Sequence, residues 1–223
     1  MINIALDGPS GAGKSTLAKA LAKTLGYIYT DTGAMYRTIG LAVKRRGIAP
    51  DNAAEIEALL PEIRISLKFE NGEQKIYLGD EDVGALIRTN EISAYASTVS
   101  AIPAVRAHLL DVQRGIAREN NVIMDGRDIG TVILPDAQVK FFVTVSDTER
   151  ARRRHAELVA RGESVTLEEV AATMAERDRK DATREIAPAI PAEDAVFLDN
   201  SDALDIVIAR AVAIIREKTE GKA

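Results

Sequence analysis

The chain has no cysteine, no tryptophan, only two histidines and only 4% aromatic residues in 223. Without cysteine there is no disulfide, no thiolate nucleophile and no cysteine-ligated zinc, and a reducing cytoplasm is the expected compartment. His108 and His155 are too few and too scattered for a metal cluster. No apolar run approaches the ~20 residues of a membrane span, and the start has no basic segment leading into an apolar one. Neither a membrane partner nor a signal peptide is therefore expected. A net charge of −5 argues against bulk polyanion binding, so nucleic acid is not an expected partner either. Repeats and low-complexity segments are lacking too. What is left is ordinary globular composition, 46% hydrophobic and 28% charged. At this length, one α/β domain with insertions is the economical expectation.

What is present begins at "INIALDGPSGAGKSTLAKALAKTLG". Ile2, Ile4 and Leu6 read as a short buried strand. Leu17, Ala18, Leu21, Ala22 and Leu25 keep a helical spacing that stops at Gly26. Between them Gly8, Gly13, Lys14 and Ser15 match G-x-x-x-x-G-K-[ST]. Glycines 8, 11 and 13 permit positive φ and remove any Cβ, so successive N–H groups can face one concavity. The helix start adds its own unpaired N–H groups and positive dipole end. Gly8, Pro9, Ser10, Gly11, Ala12, Gly13, Lys14, Ser15 and Thr16 are thus the expected cradle for the phosphates of ATP. Lys14 reaches the β and γ groups, and Ser15 or Thr16 is placed to hold Mg²⁺. The dinucleotide fingerprint G-x-G-x-x-G does not fit, because Thr16 stands where its last glycine belongs.

Further along, Tyr27–Thr30 read as a second strand, and Asp31 or Thr32 caps the helix after it. A further helix has its start signal at Asp51. The stretch 63–90 changes character: two strands with alternating Ile63, Ile65, Leu67 and Phe69 surround a hairpin signal, Asn71-Gly72. Helices resume over about 90–119, the longer opened by Pro103. Val122–Met124 form another buried strand, and 137–146 one more. The helix after that is capped by Asp147, and a long helix runs on towards Pro188. A final strand and helix close the chain. Five core strands alternating with helices imply a parallel sheet with ligands at the strands' carboxyl ends.

Arginines cluster where that crevice must lie. Arg37 follows the second strand, Arg106 sits on the helix opened by Pro103, and Arg127 follows the third buried strand through Asp125 and Gly126. Arg177, Asp181 and Arg184 fall within ~60° of arc on one helix face. Arg150, Arg153 and Arg154 share a face of the preceding helix. Guanidinium forks suit phosphate oxygens, so a second phosphate group is the expected ligand. Asp125 either orients the hydration shell of Mg²⁺ or caps its turn. Asp128 beside Arg127 can read a cytosine edge: its carboxylate accepts from the N4 amine, whereas uracil offers a carbonyl that repels it.

Taken together, "DGPSGAGKST", "DTGAMYR", "ASTVSAIPAVR", "DGRDIGTV" and "ERDRKDATREIAP" resemble the bacterial cytidylate kinase family, in its long form with an inserted sheet. The likeness runs from Ile4 to about Ser201. It implies a P-loop NTPase core, a five-stranded parallel sheet in three α/β/α layers, formed by 1–30 and 91–223. A lid lies at about 150–165. An NMP-binding region at 31–90 carries the small antiparallel sheet at about 63–90. It also implies transfer of the γ-phosphate of ATP to CMP or dCMP. The CMP contacts map onto Thr32, Arg37, Ser97, Arg106, Arg127, Asp128, Arg177 and Arg184, with Asp181 on the same face. Relatives often carry serine at position 32 and glycine at position 15. Lys14, Arg127, Arg177, Arg184 and the lid residues Arg153 and Arg154 would align both nucleotides and spread the charge of a loose transition state. A monomer is expected. The rival readings are a P-loop kinase for UMP, dTMP or shikimate, and a nucleotide-dependent switch that hydrolyses slowly.

Overall fold

The structure is a computed structural model, and it describes residues 1–70 and 73–220. The strands and helices follow in chain order: β1 (Asn3–Asp7), α1 (Lys14–Leu25), β2 (Ile28–Asp31), α2 (Thr32–Arg45), α3 (Ala53–Leu59), β3 (Ile65–Glu70), β4 (Glu73–Leu78) and β5 (Glu81–Asp82). Then come α4 (Asn90–Val99), α5 (Pro103–Glu119), β6 (Val122–Asp125), β7 (Val139–Thr144), α6 (Asp147–Ala160), α7 (Leu167–Thr183), β8 (Val196–Asp199) and α8 (Leu204–Thr219). Five strands make one parallel sheet in the order β2-β6-β1-β7-β8, with helices flanking it. Ile4, Ala5 and Leu6 of the central β1 are fully buried, as a strand covered on both faces requires. Its register against β7 places Ile4 beside Val139 and Asp7 beside Phe142.

By its contacts the chain forms two compact units: residue 1 with 28–122, and 2–27 with 123 onward. In the second unit α1 and α8 pack on each other, α1 against β1 and α8 against β7 and β8. In the first, α2 packs along α4 over a core that includes Met35, Ile39, Val43, Ile56, Val99 and Leu109.

The inserted sheet is three-stranded rather than two-stranded, in the order β3-β4-β5, and spans 65–82. The short β5 pairs Tyr77 with Asp82 and Leu78 with Glu81, too brief to show an alternating pattern in sequence. Ile76 is buried, and Ile65, Leu67 and Leu78 lie against the same core as α2. The expected turn residues Asn71 and Gly72 lie outside the described residues.

Several ends differ from expectation for local reasons. Asp31, not Thr32, caps α2 by accepting from the Ala34 N–H. Asn52, one residue after Asp51, caps α3. Ser146 rather than Asp147 caps α6, because its hydroxyl is the one that accepts from the Glu149 N–H. Thr166 and Glu169 form a capping box at the start of α7. That helix ends at Thr183, so Arg184 sits in extended backbone and does not share a helical face with Arg177 and Asp181.

Candidate nucleotide-binding site

In the unit of 2–27 and 123 onward, β1 delivers the chain into a turn whose glycines are sterically required. A Cβ on Gly8 would lie 2.4 Å from the Val143 carbonyl oxygen, and one on Gly13 would lie 2.4 Å from Asn200 Nδ2. Both also have positive φ, 141° and 80°. Lys14 is buried, and its Nζ donates to the carbonyls of Gly8 at 2.8 Å and Pro9 at 2.7 Å. Burial, with the Arg127 charge nearby, pulls its ammonium pKa well below the usual lysine range. Ser15 and Thr16 are both exposed, and the Ser15 hydroxyl donates to Asp125 Oδ2 at 2.7 Å.

The turn after β6 is anchored from the same strand that starts the phosphate loop. Gly126 N–H donates to Leu6 O, and Asp7 accepts from the N–H groups of Ile129 at 2.8 Å and Gly130 at 2.7 Å. Burial raises the Asp7 pKa to about 6, even though those two N–H groups favour the carboxylate. Arg127 and Asp128 are thereby held between two fixed points. Arg127 Nε donates to Asp181 Oδ2 at 3.2 Å, and Arg177 Nε lies 4.0 Å from the same oxygen. Arg184 Nη2 donates to Asp128 Oδ1 at 3.3 Å, and Asp128 is only 3% exposed. Thus five expected residues do come together, although Arg184 arrives from beyond the end of α7. Its Nε donates to the carbonyl of Ala187, a non-glycine residue with positive φ, 51°.

The arginines of α6 separate. Arg153 donates to the backbone oxygen of Asn200 at 3.3 and 3.2 Å and to Glu149 at 3.0 Å. Arg154 pairs with Glu157 nearer solvent. Arg150, buried, turns instead to Ser10 and Asp178. Sequence reasoning passed over Asp7, Asp178 and Asn200, whose Nδ2 donates to Ala12 O at 2.8 Å. The only signal for Asn200 is its place just beyond a strand's carboxyl end.

In the unit of 28–122, Thr32 is buried at the first position of α2. Asp31 accepts from Arg37 Nη2 at 2.9 Å while capping the same helix. The backbone N–H of Asp31 donates to Gln74 Oε1 of the inserted sheet at 2.9 Å. Arg106 is buried, donates to Ser100 O at 3.2 Å and lies with its guanidinium 5.5 Å from the centre of the Tyr36 ring. Ser97 is half-buried on α4, and its carbonyl accepts from the Ser100 hydroxyl. Gln74, Tyr36 and Ser100 are further residues that pattern reading did not find.

Among the described residues, no helix is long and apolar enough to cross a membrane, and no group of three or more His, Asp or Glu is arranged to hold a metal ion.

Comparison with known proteins follows the same lines. The chain is similar to the gluconokinase of Sinorhizobium meliloti 1021 at 16% identity, with a TM-score of 0.50 over 98% of this chain and 94% of that one. The shikimate kinase of Bacteroides thetaiotaomicron gives 13% identity and a TM-score of 0.50, covering 96% and 98%. These likenesses concern the fold alone. In sequence, it is 50% identical over 216 residues to the cytidylate kinase of Geobacter sulfurreducens, covering 96% of this chain and 93% of the relative. It is 45% identical over 220 residues to that of Carboxydothermus hydrogenoformans, covering 98% and 99%. The family model described as cytidylate kinase matches residues 4–217. The chain belongs to the cytidylate kinase family.

Proposed function

We infer that the protein is a cytidylate kinase, transferring the γ-phosphate of ATP to CMP or dCMP to give ADP and CDP or dCDP. The observation that carries the acceptor's identity is Asp128. It is a buried carboxylate that accepts from Arg184 and follows Arg127 in the chain, able to accept from an exocyclic amine and disfavoured by a carbonyl. The triphosphate belongs to residues 8–16, where a glycine-rich turn runs into a helix start. Thr32, Arg37, Ser97, Arg106, Arg127, Asp128, Arg177, Asp181 and Arg184 are its proposed contacts for the monophosphate.

Phosphoryl transfer asks the protein for alignment and charge stabilisation more than for covalent chemistry. The acceptor phosphate is already largely ionised at neutral pH, since its second pKa is ~6, so no general base is assigned. Lys14 leaves the Gly8 and Pro9 carbonyls for the β and γ oxygens. Arg127, Arg177 and Arg184, with the lid residues Arg153 and Arg154, hold the two nucleotides in line. Closure of the lid, about 150–165, excludes water that would otherwise accept the phosphoryl group.

The donor set fits Mg²⁺ carried in with ATP, since the Ser15 hydroxyl and Asp125 carboxylate form a hard oxygen pair 2.7 Å apart. Bound there, Mg²⁺ supplies a Lewis acid that neutralises charge on the β and γ phosphates. Ser15, rather than Thr16, is the proposed ligand, with Asp125 steering it. The protein acts as a monomer in the cytoplasm. An assay of ADP formation with CMP, dCMP, UMP, AMP and dTMP side by side tests the function. Turnover with CMP and dCMP well above the others is expected, and preference for UMP, or ATP hydrolysis with no diphosphate formed from CMP, would overturn it.

A further inference from the structure

One residue of the phosphate loop, Ser10, is gripped through both its backbone N–H and its backbone carbonyl by residues far away in sequence. The Ser10 N–H donates to Asp178 Oδ1 at 3.1 Å, and the Ser10 carbonyl accepts from Arg150 Nη1 at 2.7 Å. The ring closes because the same Nη1 donates to Asp178 Oδ2 at 2.5 Å. The other end of the guanidinium pairs with Asp147 in the first turn of α6. Arg150 is 5% exposed, so this charge is fixed by its partners rather than by solvent. The next loop residue is hemmed by the same helices. A Cβ on Gly11 would meet Met174 Cε of α7 at 2.8 Å and Arg150 Cβ at 3.5 Å.

A glycine-rich loop that is free in the unliganded protein must lose backbone entropy when it closes on phosphate. A loop ordered beforehand avoids that loss on binding. The Ser10 N–H is already committed to a carboxylate, which would repel a phosphate oxygen at that point. The anion is left to the N–H groups that follow. We propose that Arg150 and Asp178 are a positioning pair that sets the phosphate loop in its ATP-binding form, and that MgATP affinity depends on the closed ring they make with the backbone N–H and carbonyl of Ser10. This rests on the reading of residues 8–16 as the ATP cradle.

The test is calorimetric titration of MgATP into the full-length protein, which needs no acceptor and no turnover. Arg150→Met keeps the length and apolar stem of the side chain and removes its donors, and it is expected to raise the MgATP Kd about tenfold. Arg150→Lys, which can still donate to the Ser10 carbonyl, is expected to recover more than half of that loss. Asp178→Asn should weaken MgATP comparably, and the double variant Arg150→Met/Asp178→Asn should be little worse than either alone. CMP affinity should stay within about twofold throughout, a split that mere loss of folded protein would not produce. The proposal is overturned if folded Arg150→Met or Asp178→Asn binds MgATP as the parent does, or if MgATP and CMP weaken together. Should Arg150→Met fail to fold, Asp178→Asn decides by the same criterion. A parent protein that does not bind MgATP at all would instead overturn the reading of the loop itself.

Discussion

The phosphate loop of 8–16 and the turn of 31–37 both follow a strand and both open a helix, yet they are built by different means. In the first, the groups proposed to bind phosphate are backbone N–H groups, and side chains from residues up to 188 positions away brace the loop. Asn200 holds Ala12, Asp178 and Arg150 hold Ser10, and Lys14 caps two carbonyls. In the second, the cation is a side chain, Arg37, oriented by the carboxylate of Asp31, and a single amide from Gln74 steadies the strand end. Backbone donors tolerate any anion of the right size, so the first arrangement suits a common phosphate tail. Side chains can discriminate, and the proposed discriminating group for the acceptor is Asp128.

The contrast is broken most severely at Arg184. Arg184→Ala removes a charge that lies within 3.3 Å of Asp128, and kcat for CMP is expected to fall by about 10³ with folding preserved. Steady-state kinetics with melting temperature as a control checks this. Next in size is Asp128→Asn, whose amide can present a donor to the O4 carbonyl of UMP. The ratio of kcat/KM for CMP over UMP should narrow by about 10–100-fold.

A third expectation concerns the anchor behind Asp128. The folded-state pKa of Asp7, about 6, lies above its unfolded value of 3.8, so the native state binds the proton more tightly. Stability from this group is therefore complete below pH 4 and is lost as pH rises through 6. Chemical denaturation at several pH values should find the parent gaining about 2–3 kcal/mol relative to Asp7→Asn between pH 8 and pH 4. The smallest effect belongs to Gln74→Met, which keeps shape and loses the acceptor for the Asp31 N–H. KM for CMP should rise about fivefold with KM for ATP unchanged, which would give the inserted sheet a role in acceptor binding.

The phosphate loop was legible in the sequence because its chemistry is contiguous: spacing alone places the glycines, Lys14 and Ser15. The parallel sheet was legible from alternation of apolar runs with helical periods. Arg127, Arg177 and Arg184 were legible as a group of arginines, and the structure pairs them with the carboxylates of Asp181 and Asp128. Helical periodicity nevertheless put Arg184 on the face of α7, when the helix stops at Thr183 and Arg184 returns to Asp128 through extended backbone. The bracing side chains were not legible. Arg150 looked like one more lid arginine, and its neighbour Arg153 has the same composition and nearly the same place on the helix. What separates them is burial and a partner 140 residues away, and no local pattern carries that information. Gln74 was hidden for the same reason, its partner lying 43 residues back across the insertion.

A crystal structure with CMP and a non-hydrolysable ATP analogue tests the central assignment most directly. The cytosine N4 amine is expected within about 3 Å of an Asp128 oxygen, with the CMP phosphate among Arg127, Arg177 and Arg184. A monophosphate seated away from residues 127 and 128, or a base that turns its amine elsewhere, would contradict it.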